Sequence, residues 1–218
     1  WLSLGKSLYN GNLPYIEEFA LRGPFTFVFY ALPFLFENYV IVLKFLVIIS
    51  LWISSIALFK ISKRLYGKEA AIFSSFGFLL ITSSETSFLS AEPELFILPF
   101  LSFYIYFLFR DFINPKTNSI ILAGILISLA TLMRPNLGII AFFGCFIYLL
   151  SEKNKILNLI THIASGLLPL LVTIILYSNV PDGLEILWNS TIESTFAFTG
   201  GRPFLIGYFL FFDVFALR

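Results

Sequence analysis

Apolar runs of about membrane-span length, separated by short polar breaks, are the feature that most restricts how this chain can fold. Only 12% of its 218 residues are charged and 58% are hydrophobic, whereas soluble domains carry about 25% charged residues. A soluble domain of this length could not cover its surface with so few charges. We therefore predict an all-α fold, a polytopic bundle of transmembrane helices.

The apolar runs predict where the helices lie. About 20 residues are needed to cross the hydrocarbon core, and several runs approach or reach that length. Residues 1–38 are expected to form a first loop with a juxtamembrane helix, and residues 39–218 the transmembrane part of the same domain. The predicted spans cover residues 39–59, 70–90, 95–109, 119–133, 137–150, 156–179 and 204–217.

Charge is divided unevenly between alternate loops. The loops at 60–68, 110–118 and 151–155 hold most of the lysines and arginines. Because basic loops stay in the cytoplasm, the acidic side is expected to be extracytoplasmic. That side collects Glu17, Glu18, Glu37, Glu85, Glu92, Glu94, Asp182, Glu185 and Glu193.

Two stretches allow alternative topologies. Residues 119–150 can form one long helix or a hairpin, and Arg134-Pro135-Asn136 favours a break because proline interrupts a helix. Residues 24–36 are apolar but short, which is more typical of an interfacial segment than of a span. We expect a helix along the outer interface there, with Phe25, Phe27, Phe29 and Tyr30 at the level of the headgroups.

The loop from Gly11 to Pro24 carries the first candidate site residues, Glu17, Glu18 and Arg22. Adjacent carboxylates can bind a divalent cation, accept sugar hydroxyls or act as a general base. The arginine can hold a phosphate oxygen. The alternative, a solvated loop without chemistry, has equal weight on spacing alone.

Further candidates lie in later loops on the acidic side. Glu92, with Glu85 and Glu94 nearby, combines boundary carboxylates that either face a cavity or simply end a helix pair. Arg134 and, more weakly, Arg202 can pair with an anionic lipid headgroup, although a cation at a helix end can also merely snorkel to the interface.

A family resemblance rests on short motifs in these loops. Gly11-Asn12-Leu13-Pro14-Tyr15, then Glu17, then Arg22-Gly23-Pro24 resembles the first extracytoplasmic loop of dolichyl-phosphate-mannose–protein mannosyltransferase-like proteins of the C-type glycosyltransferase superfamily. Bacterial lipid A aminoarabinose transferases have a related loop. Ala91-Glu92-Pro93, Leu132-Met133-Arg134-Pro135 and the order of loops over about residues 1–200 also look like this family.

The resemblance implies an inverting transferase that passes a sugar from a polyprenyl-phosphate carrier to a lipid, glycan or protein acceptor outside the cytoplasm. It implies a catalytic Asp upstream of Trp1, Glu17 as the loop acid and Arg134 as a carrier-phosphate ligand. Arg22 corresponds to the basic residue before proline, and Tyr15 belongs to the same substrate-binding loop. The related aminoarabinose transferases point to a prokaryotic inner membrane.

Two departures from the family pattern affect the metal. The second loop acid of the family falls at Ala20 or Leu21 here, neither of which binds metal, and one of its paired prolines is Gly23. Glu18 is the available substitute, so a divalent cation stays open as a cofactor.

Two other classes of protein are considered beside the transferase. A transporter or lipid flippase would use boundary carboxylates such as Glu85 and Glu92 for proton coupling, but that class is expected to hold them near the middle of the membrane. A non-catalytic membrane subunit has no positive feature in the sequence. No pattern in the chain indicates nucleic-acid binding.

Overall fold

The computed structural model describes residues 1–16, 22–84, 90–110, 115–150 and 154–193. Across these ranges the chain is helical and contains no strand, which confirms the all-α fold class. The helices are α1 (Leu2–Tyr9), α2 (Thr26–Ala31), α3 (Tyr39–Tyr66), α4 (Lys68–Ser84), α5 (Pro93–Arg110), α6 (Thr117–Met133), α7 (Gly138–Leu149), α8 (Lys155–Ser178) and α9 (Gly183–Trp188).

Three of these helices, α3, α5 and α8, are long and apolar enough to cross a membrane. The runs predicted at 39–59, 95–109, 119–133, 137–150 and 156–179 each coincide with a helix. α3 continues for almost two further turns beyond its predicted end, because a helix can carry its last basic residues into the interface. In the run predicted at 70–90 the described helix is α4, Lys68–Ser84, while residues 85–89 and the run at 204–217 lie outside the described residues.

Some helices pack against their neighbours in the chain, and two of the major contacts each skip one helix. α3 packs against both α4 and α5, α5 packs against α6, and α6 makes its largest contact with α8. The main core lies between α3, α5 and α6, where Val47, Phe96 and Ile127 are almost completely buried. Many outward side chains of α3 and α8 are exposed and apolar, as expected for helices surrounded by lipid.

The chain reverses direction at Arg134, so the hairpin prediction for residues 119–150 is confirmed. α6 ends at Met133, Arg134 is extended, and a 3-10 turn over Pro135–Leu137 leads into α7. Pro135 explains the break, since proline disfavours helical backbone in the residue before it. α7 then runs back beside α8 and α6, and the Tyr104 hydroxyl of α5 donates a hydrogen bond to the carbonyl of Ile140 at 3.2 Å.

The segment at 24–36 is not among the helices long enough to cross a membrane, and its aromatic residues lie elsewhere than predicted. It forms the short helix α2 and a 3-10 turn over Leu32–Leu35. Phe27 and Tyr30 are 0% and 1% exposed, so their predicted position among lipid headgroups is wrong. The reason is that Gly5 of α1 and Phe96 of α5 cover Tyr30, while Leu4, Tyr15 and Tyr177 enclose Phe27, which the length and hydropathy of the segment alone cannot reveal.

Phe25 and Phe29 also face the protein. Phe29 stacks on Phe96 of α5 with ring centroids 5.0 Å apart, and Phe25 meets Phe100 edge to face at 5.9 Å. Aromatic pairs at these separations add to the stabilisation from burial. These ring contacts hold the segment against the first half of α5.

The two ends of the bundle differ in charge. One end, called here the basic end, is held together by Lys60 over the ring of Tyr106 at 5.4 Å and by Arg110, which donates to Ser119 Oγ at 2.5 Å. The other end, called here the carboxylate end, contains Glu92, Glu94 and Arg134. The described basic-end cations are Lys60, Lys63, Arg64, Lys68, Arg110, Lys116 and Lys155.

The close crossing of α6 and α8 generates a stability prediction. A Cβ at Gly124 would overlap the Ser165 side chain and the His162 carbonyl, whereas a Cβ at Gly77 on α4 would meet nothing within 4 Å. We expect Gly124→Val to lower the free energy of unfolding by about 1–3 kcal/mol through overpacking, and Gly77→Val to change it far less. Unfolding in detergent micelles measures both, and equal effects would contradict the tight crossing.

Candidate functional site

Two arginines from distant parts of the chain meet at one carboxylate at the carboxylate end. Glu94 Oε1 lies 2.5 Å from Arg22 Nη2 and 3.4 Å from Arg134 Nη1. The three side chains are 23–35% exposed, so they are partly shielded but open to solvent on one side. We call Arg22 and Arg134 the arginine pair.

The position of Arg22 follows from backbone hydrogen bonds between the segment at 22–26 and the end of α6. The Gly23 N–H donates to the Met133 carbonyl at 2.9 Å, and the Phe25 N–H donates to the Leu132 carbonyl at 3.2 Å. The buried Thr26 hydroxyl also donates to the Met133 carbonyl, at 3.0 Å. These bonds use carbonyls that the end of a helix leaves without intrahelical partners.

Glycine is required at position 23 by this close approach. A Cβ there would overlap the Leu132 carbonyl group, so a larger residue would push the segment away from α6. The glycine at position 23 therefore has a local structural explanation. It lets the backbone that carries Arg22 lie directly against the backbone that carries Arg134.

Aromatic residues support Arg22 from its other sides. Its guanidinium lies 5.8 Å from the centre of the Trp1 ring, within the range of a cation–π interaction. The Tyr15 hydroxyl donates to the Arg22 carbonyl, and the Tyr177 hydroxyl donates to the Pro14 carbonyl at 3.0 Å. Burial, and secondarily the neighbouring Tyr177, raises the pKa of Tyr15, so Tyr15 stays a neutral hydrogen-bond donor.

Tyr30 fixes the position of Glu94, the carboxylate of the cluster. Its buried hydroxyl donates to the Ala91 carbonyl at 2.5 Å, and Ala91 has a positive φ of 51°. This turn starts α5 and places Glu94 in its first turn, where a helix favours negative charge. Burial is the main cause that raises the pKa of Tyr30, followed by the charge of Glu94.

An apolar cavity of about 450 Å³ lies beside the arginine pair. Pro24 and Pro135 line it, and they follow Arg22 and Arg134 closely in the chain. α8 and α9 close the far side, and the π-helix at Asn189–Glu193 contributes further residues. Its described walls include Pro24, Leu132, Pro135, Leu170, Leu187 and Trp188.

The structure brings three of the substrate-binding candidates together and leaves the candidate acid Glu92 apart from them. Tyr15, Arg22 and Arg134 belong to one cluster, as their shared side of the membrane predicts. Glu92 lies at the same end but is exposed, with Ser90 Oγ 3.4 Å from its Oε1. The carboxylate that meets the arginines is instead Glu94.

In the sequence, the motif Ala91-Glu92-Pro93 favours Glu92 and treats Glu94 only as its neighbour. The residue that it missed carries a weak signal, a carboxylate directly after the proline that begins a helix. Only the helix register, set by the turn at Ala91, decides which of the two acids faces Arg22.

Other candidates lie outside the described residues, namely Glu17, Glu18, Glu85 and Arg202. In the ranges that the structure describes, no group of three His, Cys, Asp or Glu side chains is placed to hold a metal ion. A metal site at Glu17 and Glu18 stays a prediction.

The comparisons with known proteins identify one family. The model of the dolichyl-phosphate-mannose-protein mannosyltransferase family matches residues 23–177, which is well over half of the chain. The match begins one residue after Arg22 and includes Glu94, Arg134 and most of α8. Neither a curated protein nor a solved structure is significantly similar to the chain.

Distances in the cluster generate a prediction for a double-mutant cycle. Because the carboxylate is closer to Arg22 than to Arg134, coupling of Arg22→Gln with Glu94→Gln should be about 0.5–1 kcal/mol. Coupling of Arg134→Gln with Glu94→Gln should be smaller. The measured quantity is the free energy of unfolding in detergent micelles.

A matched cycle with Glu185→Gln, an exposed acid on α9 at the same end, should show no coupling to Arg22→Gln. Equal coupling in the Glu94 and Glu185 cycles would contradict a specific ion pair.

Proposed function

The chain belongs to the dolichyl-phosphate-mannose-protein mannosyltransferase family, and from this premise we propose that it transfers a sugar from a polyprenyl-phosphate-linked donor to an acceptor on the extracytoplasmic side of the membrane. One observation carries the proposal beyond the family match. Two arginines meet at one carboxylate, and Pro24 and Pro135, which follow them closely in the chain, line an apolar cavity; this combination suits a ligand with a phosphate head and a hydrocarbon tail.

The arginine pair would act on the leaving group. As the bond between the sugar C1 and the phosphate oxygen breaks, its electron pair stays on the phosphate, which gains negative charge. Guanidinium groups that are already in position stabilise this charge at little reorganisation cost. Arginine suits the task because its planar donors match the spacing of phosphate oxygens.

A carboxylate would complete the transfer. The acceptor hydroxyl attacks C1 from the opposite face as its proton passes to a general base, and one such displacement inverts the configuration at C1. Glu17, Glu18 and Glu92 are the candidate acids of this chain. The acceptor is a lipid, glycan or protein hydroxyl.

The apolar cavity would hold the first part of the polyprenyl chain. Its lining is almost entirely hydrocarbon, so isoprene units can enter it from the bilayer without meeting polar groups. Pro24 and Pro135, which follow Arg22 and Arg134 closely in the chain, form part of its wall. A prenyl group in this cavity would therefore place its phosphate near the arginine pair.

The charge difference between the two ends supports the membrane placement. With the basic end in the cytoplasm, the carboxylate end and its arginine pair lie outside. We propose a multi-pass protein of a prokaryotic plasma membrane, oriented in this way.

The phosphate role generates a prediction for activity. Arg22→Ala and Arg134→Ala should each lower sugar transfer by the full-length protein about tenfold to a hundredfold, the effect of losing one charged hydrogen bond. Arg64→Ala, which removes an exposed charge at the basic end, is the matched control and should leave transfer unchanged. Transfer from a radiolabelled polyprenyl-phosphate sugar measures all three.

Unchanged turnover in both arginine variants would overturn the phosphate role. Binding of the carrier lipid by the wild-type protein without any sugar transfer would instead favour a lipid flippase.

The cavity generates a separate prediction. Leu187→Trp adds bulk to a wall of the cavity and should raise the KM for long-chain donors about threefold or more, while short-chain donors are affected less. Leu167→Trp, at an exposed position of α8 that does not line the cavity, is the control. Equal effects on long-chain and short-chain donors would show that the prenyl chain of the donor binds outside this cavity.

A further inference from the structure

We propose that Glu94 occupies the phosphate position of the arginine pair when no donor is bound, and that it helps to expel the phosphate product after transfer. This inference rests on the proposed function, because it takes a prenyl phosphate as the ligand of the pair. It assigns Glu94 a positioning and exchange role, distinct from the general base.

The geometry shows the occupied position. A single oxygen of Glu94 lies within 2.5 Å of one guanidinium and 3.4 Å of the other. A phosphate oxygen that bridges two arginines needs the same arrangement, an anionic oxygen with donors on two sides. The carboxylate and the phosphate are therefore alternative partners for the same donors.

The surroundings allow the exchange. The Glu94 side chain is 35% exposed, so it can turn towards solvent without burying an unpaired charge. Glu94 lies in the first turn of α5, so its carboxylate is still stabilised by the helix N-terminus after it leaves the arginines. The guanidinium of Arg22 lies against Trp1, and the backbone bonds at Gly23 and Phe25 join its segment to the residues just before Arg134, so the two arginines stay close together during the exchange.

Charge explains why an exchange is useful. The donor is a phosphodiester with one negative charge. Transfer breaks the C1–O bond and leaves the electron pair on the phosphate, so the product is a monoester with a charge of about −1.5 to −2. Two arginines bind this product more tightly than the donor. Glu94 is attached to the site, so its effective concentration is high, and it competes for the arginines and speeds release.

Affinity for a prenyl phosphate tests the inference. Farnesyl phosphate is titrated into the full-length wild-type protein, Glu94→Gln and Glu185→Gln in detergent micelles. Removing the competitor should tighten binding by Glu94→Gln about threefold to fivefold, since a partly exposed ion pair contributes up to about that factor. Glu185→Gln removes the same charge from the same end and should not change the affinity.

Turnover provides a second readout. Glu94→Gln should lower KM and kcat together, because the product leaves more slowly. A purely structural role would lower kcat without tightening farnesyl phosphate binding. Unchanged or weaker binding by Glu94→Gln, with the wild type binding normally, would overturn the inference and leave the proposed function intact.

A wild-type protein that binds no prenyl phosphate would overturn the proposed function itself. If Glu94→Gln does not fold, Glu94→Asp takes its place. Its shorter side chain withdraws the carboxylate from the arginines and should tighten binding by a smaller factor, and unchanged or weaker binding would again overturn the inference.

Discussion

The hydrogen bonds between Gly23, Phe25 and the end of α6 are the interaction on which the carboxylate end depends. They join the segment before the bundle to carbonyls of Leu132 and Met133, which the break at Pro135 leaves available. Because these residues directly precede Arg134, the same contact brings Arg22 to it. The site thus follows from backbone pairing that only a glycine at position 23 permits.

The bundle supplies the remaining partners by ordinary helix packing. α5 crosses beside α6 and presents Glu94 from its first turn, at the height where α6 ends. α8 packs along α6, and its Tyr177 hydroxyl donates to the Pro14 carbonyl, next to Tyr15. Arg22, Glu94 and Arg134 come from three separate parts of the chain, so the cluster requires the folded bundle and also stabilises its end.

Much of this architecture could be predicted from the sequence, since the bilayer restricts apolar runs to helices. The helix positions, the hairpin at Arg134 and the shared end of Tyr15, Arg22 and Arg134 follow from hydropathy, from Pro135 and from loop charge. The choice of Glu94 over Glu92 could not be predicted, because it depends on the helix register set by the Tyr30–Ala91 hydrogen bond. The burial of Phe27 and Tyr30 could not be predicted for a similar reason, since no local pattern reveals that Tyr177 encloses Phe27 and that Phe96 covers Tyr30.

The central claim is that the arginine pair is the phosphate site of a lipid-linked donor. The most direct measurement is an experimental structure of the full-length protein with a prenyl phosphate bound. We predict phosphate oxygens about 2.7–2.9 Å from the guanidinium nitrogens of both Arg22 and Arg134, the prenyl chain between Pro24 and Pro135, and the Glu94 carboxylate turned away. A phosphate bound elsewhere, with Glu94 still joining the two arginines, would contradict the claim.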